Sequence, residues 1–337
     1  MQTEIVKITT ENKKEVLDKA ASIIKNGGLV VFPTETVYGL GANALDEVAV
    51  KKIFLAKGRP SDNPIIIHIG SEKQLRDLVK SVSLIQQKLI GAFWPGPLTI
   101  IFEKKDNISN VVSGGLSTIA VRIPSNVLAR ELIDLSGVPI AAPSANTSGR
   151  PSGTQEKHIN EDLFGKVDMI IDSGESEIGV ESTVVKVNED SVLILRPGRI
   201  TKEMLEKIVF PLPIYFAKEK EDLQSSPGTK YKHYSPKARL EIISKEKILD
   251  EAEVLNNKGL KIGIITTIQN KDSFKKYEPN VFVLGDESNL EEISKNLYSA
   301  LRFFDKQNVD IILCQSFSKE GLGVAIMDRL DRASAKF

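Results

Sequence analysis

The chain of 337 residues has one cysteine, three histidines and one tryptophan, and its 45 basic side chains are matched by 45 acidic ones. A single thiol, Cys314, excludes any disulfide within the chain and leaves no cysteine-based metal site to look for. Set in the apolar run DIILCQSF, it reads as a small buried strand residue. A formal net charge of zero and a pI near 6.9 argue against strong, indiscriminate nucleic-acid binding, while still allowing a local basic site to hold an anion. No apolar run is long enough to span a bilayer, and the opening MQTEIVKITTENKKEV lacks an apolar signal core, so a cytoplasmic protein with no membrane contact is expected. Also missing are a GxxxxGK[ST] phosphate loop, a kinase signature set, a zinc-ligand spacing and a GxSxG elbow. Any nucleotide site must follow another design.

What is present suggests two domains. The length exceeds what one hydrophobic core usually organises, and 41% hydrophobic with 27% charged residues is ordinary for a globular protein. Up to residue 210, helical and strand-like segments alternate. Val16, Ala20, Ile23 and Ile24 predict a helix over 11–27, and DEVAVKKIFLAKGRP predicts a second, with Asp46 as N-cap and Gly58 as stop. SEKQLRDLVKSV and SLIQQKLIGAF give further helices. GLVVF, NPIIIHIG, LTIIFEK, STIAVRIP, VPIAAP, MIIDSG, STVVKV and VLILRPG read as strands of a mixed α/β sheet. The stretch 211–237 is rich in proline and charge, without periodicity, and reads as a linker whose YKHY cluster is more aromatic and basic than a spacer needs. From 238 to 337, ARLEIIS, LKIGIITT, VFVLGD and VDIILCQSF alternate with helices, one capped by Ser288 or Asn289, which predicts a smaller parallel, Rossmann-like sheet. No glycine-rich dinucleotide fingerprint follows LKIGIITT.

Several segments of the first domain carry residues a core does not require. PTETVYGLGANA puts hydroxyls at Thr34, Thr36 and Tyr38 just after a strand, where open α/β sheets hold ligands. KKIFLAKGRPSDNP sends Lys57 and Arg59 from a helix end into a loop, a point charge and a planar fork suited to phosphate, followed by Asn63 and then by His68 on an apolar strand. Thr118 and Arg122 share one strand face, and an arginine among Ile, Ala and Val needs a carboxylate partner, either a protein side chain or a substrate. AAPSANTSGRPSGT offers Ser144, Asn146, Ser148 and Ser152; Ser182 and Arg196 sit at strand ends. Each segment alone has a plain reading as a polar turn, a solvated basic face or a core histidine.

In order, PTETVYGLG, KGRPSDNPIIIH, FWPGPLT, STIAVRIP, APSANTSGRPS, ESTVV and LRPG resemble the threonylcarbamoyl-AMP synthases, the YrdC-type family. SPGTKYKHYSPKA and GLGVAIMDRLDRA resemble the linker and second domain of its long, two-domain form. The resemblance implies a YrdC-like catalytic domain and a reaction of L-threonine, bicarbonate and ATP, with Mg2+, to threonylcarbamoyl-adenylate and pyrophosphate. The product would pass to downstream tRNA-modifying proteins, with no stable nucleic-acid binding and no metal held by protein ligands. It further implies that Thr36, His68, Arg122, the Ala142 backbone and Ser182 contact threonine. Lys57, Arg59, Asn63, Thr118, Ser144, Ser152, Arg196 and Tyr234 would contact or neighbour ATP. His68 is a candidate proton acceptor, beside a substrate carboxylate or water. Because a carbamate and a mixed anhydride would both be lost to water in an open cleft, 211–237, with Tyr231, His233 and Tyr234, is expected to act as a lid. Two other readings are an RNA-binding protein, weakened by the charge balance, and an ATP-dependent carbamoyl transferase acting on another amine.

Overall fold

The computed structural model describes residues 2–218, 222, 226 and 233–334. It divides into two compact units, the first comprising residues 1–148, 153–177 and 181–230, and the second 149–152, 178–180 and 231–337.

The first unit is built on an eleven-stranded mixed sheet. In chain order its strands are β1 (Glu4–Lys7), β2 (Val30–Phe32), β3 (Gly39–Asn43), β4 (Ile66–His68), β5 (Leu98–Glu103), β6 (Thr118–Arg122), β7 (Ile140–Ala141), β8 (Met169–Asp172), β9 (Thr183–Val187), β10 (Val192–Arg196) and β11 (Ile214–Phe216). Across the sheet they run β1-β8-β2-β3-β7-β4-β6-β5-β9-β10-β11. Two of them depart from the sequence reading. β3 lies in the glycine-rich stretch that reads as a loop: it pairs antiparallel with β2, and a Cβ at Gly41 would stand 2.7 Å from Phe32 and 2.8 Å from Ile140. Only glycine lets the backbone pass that close. β11 falls within the predicted linker and pairs parallel with β10 as the last strand of the sheet, a place that tolerates its neighbour Pro213.

The two sheet faces are treated differently. Ile65, Ile67, Ile100, Phe102, Ile119, Val121, Val185 and Ile194 join one large core, which takes in Val50, Ile53 and Phe54 from helix α2 (Glu47–Lys57) and Leu89 and Ile90 from the helix Leu84–Phe93. As the sequence predicts, Asp46 caps α2, accepting from the N–H groups of Val48 and Ala49, and Gly58 ends it at φ 61°. On the other face, α1 (Lys13–Lys25) and the helix Val127–Ser136 bury Val30, Phe32, Ile140, Met169 and Ile171. The neighbouring part of that face holds only the small cluster Ile66, Ile101, Ala120, Val184 and Leu195, to which no helix contributes among the described residues. The helix Val127–Ser136, like Glu156–Leu163, Lys202–Val209 and Ile248–Asn257, is not singled out by the sequence reading.

The second unit is a four-stranded, fully parallel sheet. Its strands β12 (Arg239–Ile243), β13 (Ile262–Thr266), β14 (Val281–Val283) and β15 (Ile311–Gln315) are ordered β12-β15-β13-β14. The helix Leu290–Phe304 is capped by Asn289, whose side chain accepts from Glu292 N–H, and its residues Ile293, Leu297, Tyr298, Leu301 and Phe304 are buried. Cys314 is buried on the central strand β15, and burial pushes its thiol pKa upward.

Candidate functional site

The residues pointing from the helix-free part of the sheet follow from strand alternation. Ile66, Ala120 and Ile101 face the small apolar cluster, so His68 on β4, Thr118 and Arg122 on β6, and Thr99 on β5 project the same way. Register places His68 opposite Arg122 on neighbouring parallel strands.

Arg122 is the hub. Only 3% exposed, it donates from Nε to His68 Nε2 at 2.9 Å and from Nη1 to Glu35 Oε1 at 3.1 Å. Its Nη2 donates to the hydroxyls of Thr34 at 3.2 Å and Thr36 at 3.1 Å. Four of its five N–H groups are thus directed at protein partners, leaving one on Nη1. The carboxylate that sequence reasoning required for Arg122 is therefore present in the protein as Glu35, a residue the sequence reading did not single out. The signal was available: an arginine in an apolar strand demands an acid, and PTETVYG supplies one. Burial pulls the Arg122 pKa down, opposed by Glu35.

The cluster is not internally complete. Glu35 Oε2 and His68 Nδ1 are both buried without a hydrogen-bond partner. Burial first, and the Arg122 charge second, push the His68 pKa well below the ordinary histidine value; the carbonyls of Ile66 and Ile140 oppose this. A neutral imidazole that accepts at Nε2 carries its proton on Nδ1. The ring also stands edge-on to Phe32, with centroids 6.1 Å apart. The Ala142 N–H donates to Ile66 O at 2.9 Å, so the part of that backbone left to offer a ligand is the carbonyl.

Two further groups gather in the first unit. Ser182 shares a 2.8 Å hydroxyl contact with Thr99, and Arg196 donates to its carbonyl from Nε at 3.1 Å and Nη2 at 3.0 Å, and to its Oγ at 3.1 Å. The structure thus joins two residues that the resemblance assigned to different ligands. Lys57, buried at the end of α2, donates to the carbonyls of Ser144 and of Asn146, the latter at 2.6 Å, while Ser144 Oγ donates to Asn146 Oδ1 at 2.6 Å. Arg59 folds onto its own loop, donating to Asn63 O at 3.3 Å and Pro64 O at 2.9 Å, and Asn63 is buried. Thr118 opens β6, partly exposed.

The remaining candidates belong to the second unit. Ser152 is buried there. Tyr234 has the one positive φ, 64°, among the described non-glycine residues. It stacks on Tyr298 with centroids 5.3 Å apart, beneath the Arg329 guanidinium at 5.6 Å. His233 is buried with its ring 5.5 Å from that of Tyr234. Tyr231 lies outside the described residues. Among the described residues, no three His, Cys, Asp or Glu side chains gather as a metal site, and no helix is long and apolar enough to cross a membrane.

Comparison with known proteins covers both units. The Sua5, YciO and YrdC family model, described as telomere recombination, matches residues 22–198, and a threonylcarbamoyl-AMP synthase C-terminal domain model matches 200–335. A threonylcarbamoyl-AMP synthase of Pyrococcus abyssi is 47% identical over 323 residues, covering 94% of this chain and 93% of its own. That of Bacillus subtilis is 44% identical, covering 94% and 92%. The crystal structure of P. abyssi Sua5 complexed with L-threonine superposes with a TM-score of 0.88 at 44% identity, covering 99% of this chain and 98% of that one. A variant of the same protein, with a histidine and the following tyrosine replaced by alanine, gives 0.90 at 43% identity, covering 99% and 96%.

Proposed function

Because the chain belongs to the Sua5/YrdC family of threonylcarbamoyl-AMP synthases, matching it through both domains, we infer that it makes threonylcarbamoyl-adenylate for the threonylcarbamoyladenosine modification of tRNA. The substrates are L-threonine, bicarbonate and ATP. The amine attacks the bicarbonate carbon and water leaves; a carbamate oxygen then attacks the α-phosphorus and pyrophosphate leaves. The observation that carries this reading is the Arg122 cluster on the helix-free part of the sheet, where a buried cation meets buried polar atoms left without partners. Native interiors rarely leave such atoms unpaired except where a ligand or water completes them.

In this reading the remaining Nη1 proton of Arg122 meets the threonine carboxylate, with Thr36, Ser182 and the Ala142 carbonyl around the rest of the molecule. His68 acts as a neutral donor through Nδ1 and not as the proton acceptor, because its Nε2 lone pair is engaged by Arg122. Lys57, Arg59 and Arg196 offset the charge of the triphosphate and of the departing pyrophosphate, and Asn63, Thr118 and Ser144 hold the nucleotide. Catalysis is by positioning and electrostatics, without a covalent enzyme intermediate. Mg2+ enters with ATP; a cation that keeps several waters and binds phosphate oxygens needs no carboxylate cage from the protein. Since β11 belongs to the sheet, the lid role, which keeps water from the carbamate and the anhydride, falls to the sequence after it, 217–237, most of which lies outside the described residues. The product leaves for separate tRNA-modifying proteins.

The test follows pyrophosphate release while L-threonine and bicarbonate are withheld one at a time. Release is expected to require both. Release that ignores both overturns the synthase reading, and equal turnover with serine or a simple amine in place of threonine transfers it to a different carbamoyl acceptor.

A further inference from the structure

Glu35 has one oxygen on Arg122 and one on nothing. Its Oε1 accepts from Nη1, whereas Oε2 is buried and unpartnered. The same residue lines a pocket of about 280 Å3, bounded also by Thr34, Tyr38, Asn126, Ser173 and Ser176. Two more carboxylates, Glu175 and Glu177, border it, and no basic side chain does. Ser176 Oγ is a second buried, unpartnered polar atom in its wall. The field in that space favours a cation.

Glu35 therefore meets a buried guanidinium with a donor to spare and also lines an acidic pocket. A free amino acid carries the complementary pair of charges on adjacent atoms. We propose that Glu35 is the residue that receives the substrate's ammonium group, through its unpartnered Oε2, so that Glu35 and Arg122 together select a zwitterion. This rests on the reading that threonine's carboxylate meets Arg122. Glu35 thereby has two tasks: it balances the Arg122 charge, and it distinguishes an amino acid from a hydroxy acid of the same shape. A receptor made of Arg122 alone would accept either. The ammonium has three donors, so the Ala142 carbonyl can accept a second one alongside Oε2.

The experiment measures binding of two ligands to the full chain, L-threonine and β-hydroxybutyrate, which keeps the carboxylate and hydroxyl and lacks the amine. In Glu35→Gln, threonine affinity is expected to fall roughly tenfold or more, the scale of one lost charge-assisted hydrogen bond. β-Hydroxybutyrate should bind unchanged or more tightly, since the carboxylate that repels its own has been removed. Glu35→Asp, which keeps the charge, should restore part of the preference and serves as the measured variant if Glu35→Gln fails to fold; unchanged ATP affinity certifies the fold of either. Equal weakening of both ligands would show that Glu35 merely fixes Arg122 and would overturn the proposal, as would no change in either. Arg122→Met separates the two ideas: if it leaves threonine binding intact, the Arg122 reading itself is wrong.

Discussion

Each unit of this protein buries an arginine at a place the sequence marks as special, and the two are treated in opposite ways. In the first unit Arg122 is surrounded by hydroxyls, an imidazole and a carboxylate, and the cluster ends in polar atoms with nothing to bond. In the second, Arg329 is fully buried, lies over the Tyr234 ring, and pairs with the adjacent Asp328 at 2.5 Å. Nearby Arg302 donates from Nε to the Pro151 carbonyl at 3.1 Å. Aromatic faces and backbone carbonyls give a guanidinium a fixed seat. Hydroxyls and a half-used carboxylate give it a seat with room for something else. Burial alone does not separate a structural arginine from a functional one; the chemistry of its partners does, hydroxyls, an imidazole and a half-used carboxylate for Arg122 against an aromatic face for Arg329.

The largest effect that would break this contrast comes from removing the two arginines in turn. Arg122→Met leaves Glu35 as an uncompensated buried charge, which costs about 3–5 kcal/mol of stability, and should lower kcat/KM for threonine by about a hundredfold or more. The double change Arg122→Met with Glu35→Gln removes both charges and should recover most of the stability and none of the activity. Arg329→Met should cost about 1–3 kcal/mol, since Asp328 is part-exposed and can be rehydrated, with activity per folded molecule retained. Thermal melts and threonine-dependent pyrophosphate release read both quantities. If Arg329→Met abolishes turnover in a folded protein, the division between the two arginines is wrong.

Tyr234 sharpens the comparison, because it sits in the structural stack and is also a nucleotide candidate. Tyr234→Ala removes a large buried ring and should cost about 3 kcal/mol or somewhat more, including the roughly 1 kcal/mol of its stacking contact. Tyr234→Phe keeps the ring and should hold stability within about 1 kcal/mol. Its KM for ATP then decides the second role: a rise of several-fold places the hydroxyl on the nucleotide, and no change leaves Tyr234 as the anchor of the linker's end.

How much of this was legible beforehand depended on whether the signal was local. Helix α2 announced itself because Asp46 and Gly58 act through their own backbone neighbours. Strand β3 did not, since the glycines that weaken it as a strand are there to let Phe32 and Ile140 pass, partners 7 to 9 residues and about 100 residues away respectively. β11 was hidden among prolines, where composition says linker and only its pairing with β10 says strand. The site shows the same pattern. Arg122, His68 and Thr36 were named from the ordered motifs, and the demand of Arg122 for a carboxylate was plain from its apolar strand. Which acid met that demand was not, because the partners lie 87 residues apart. Ser182 and Arg196, which the resemblance assigns to different ligands, meet across the antiparallel pair β9 and β10, a contact that only the pairing reveals.

His68 provides the smallest test, and one that separates the two units by pH alone. Burial and the neighbouring Arg122 charge hold it neutral in the folded protein, with its pKa well below the usual histidine value. In the unfolded chain the same imidazole protonates below about pH 6.5. Between these two pKa values the unfolded state binds the extra proton, so stability falls as pH falls through this window, by up to about 1.4 kcal/mol per pH unit from this group. Above pH about 6.5 both states are neutral and the contribution is flat. His68→Gln keeps an acceptor for Arg122 Nε and cannot protonate. Its unfolding free energy should therefore decline less steeply than wild type from pH about 6.5 downward, and the two slopes should agree above it. Protection of backbone amides from hydrogen exchange locates the effect: it should appear in β4 and β6, with β13 and β15 of the second unit unmoved. Parallel pH profiles for the two proteins would mean that His68 takes up its proton without disturbing Arg122, and that the imidazole is not the neutral donor its geometry makes it.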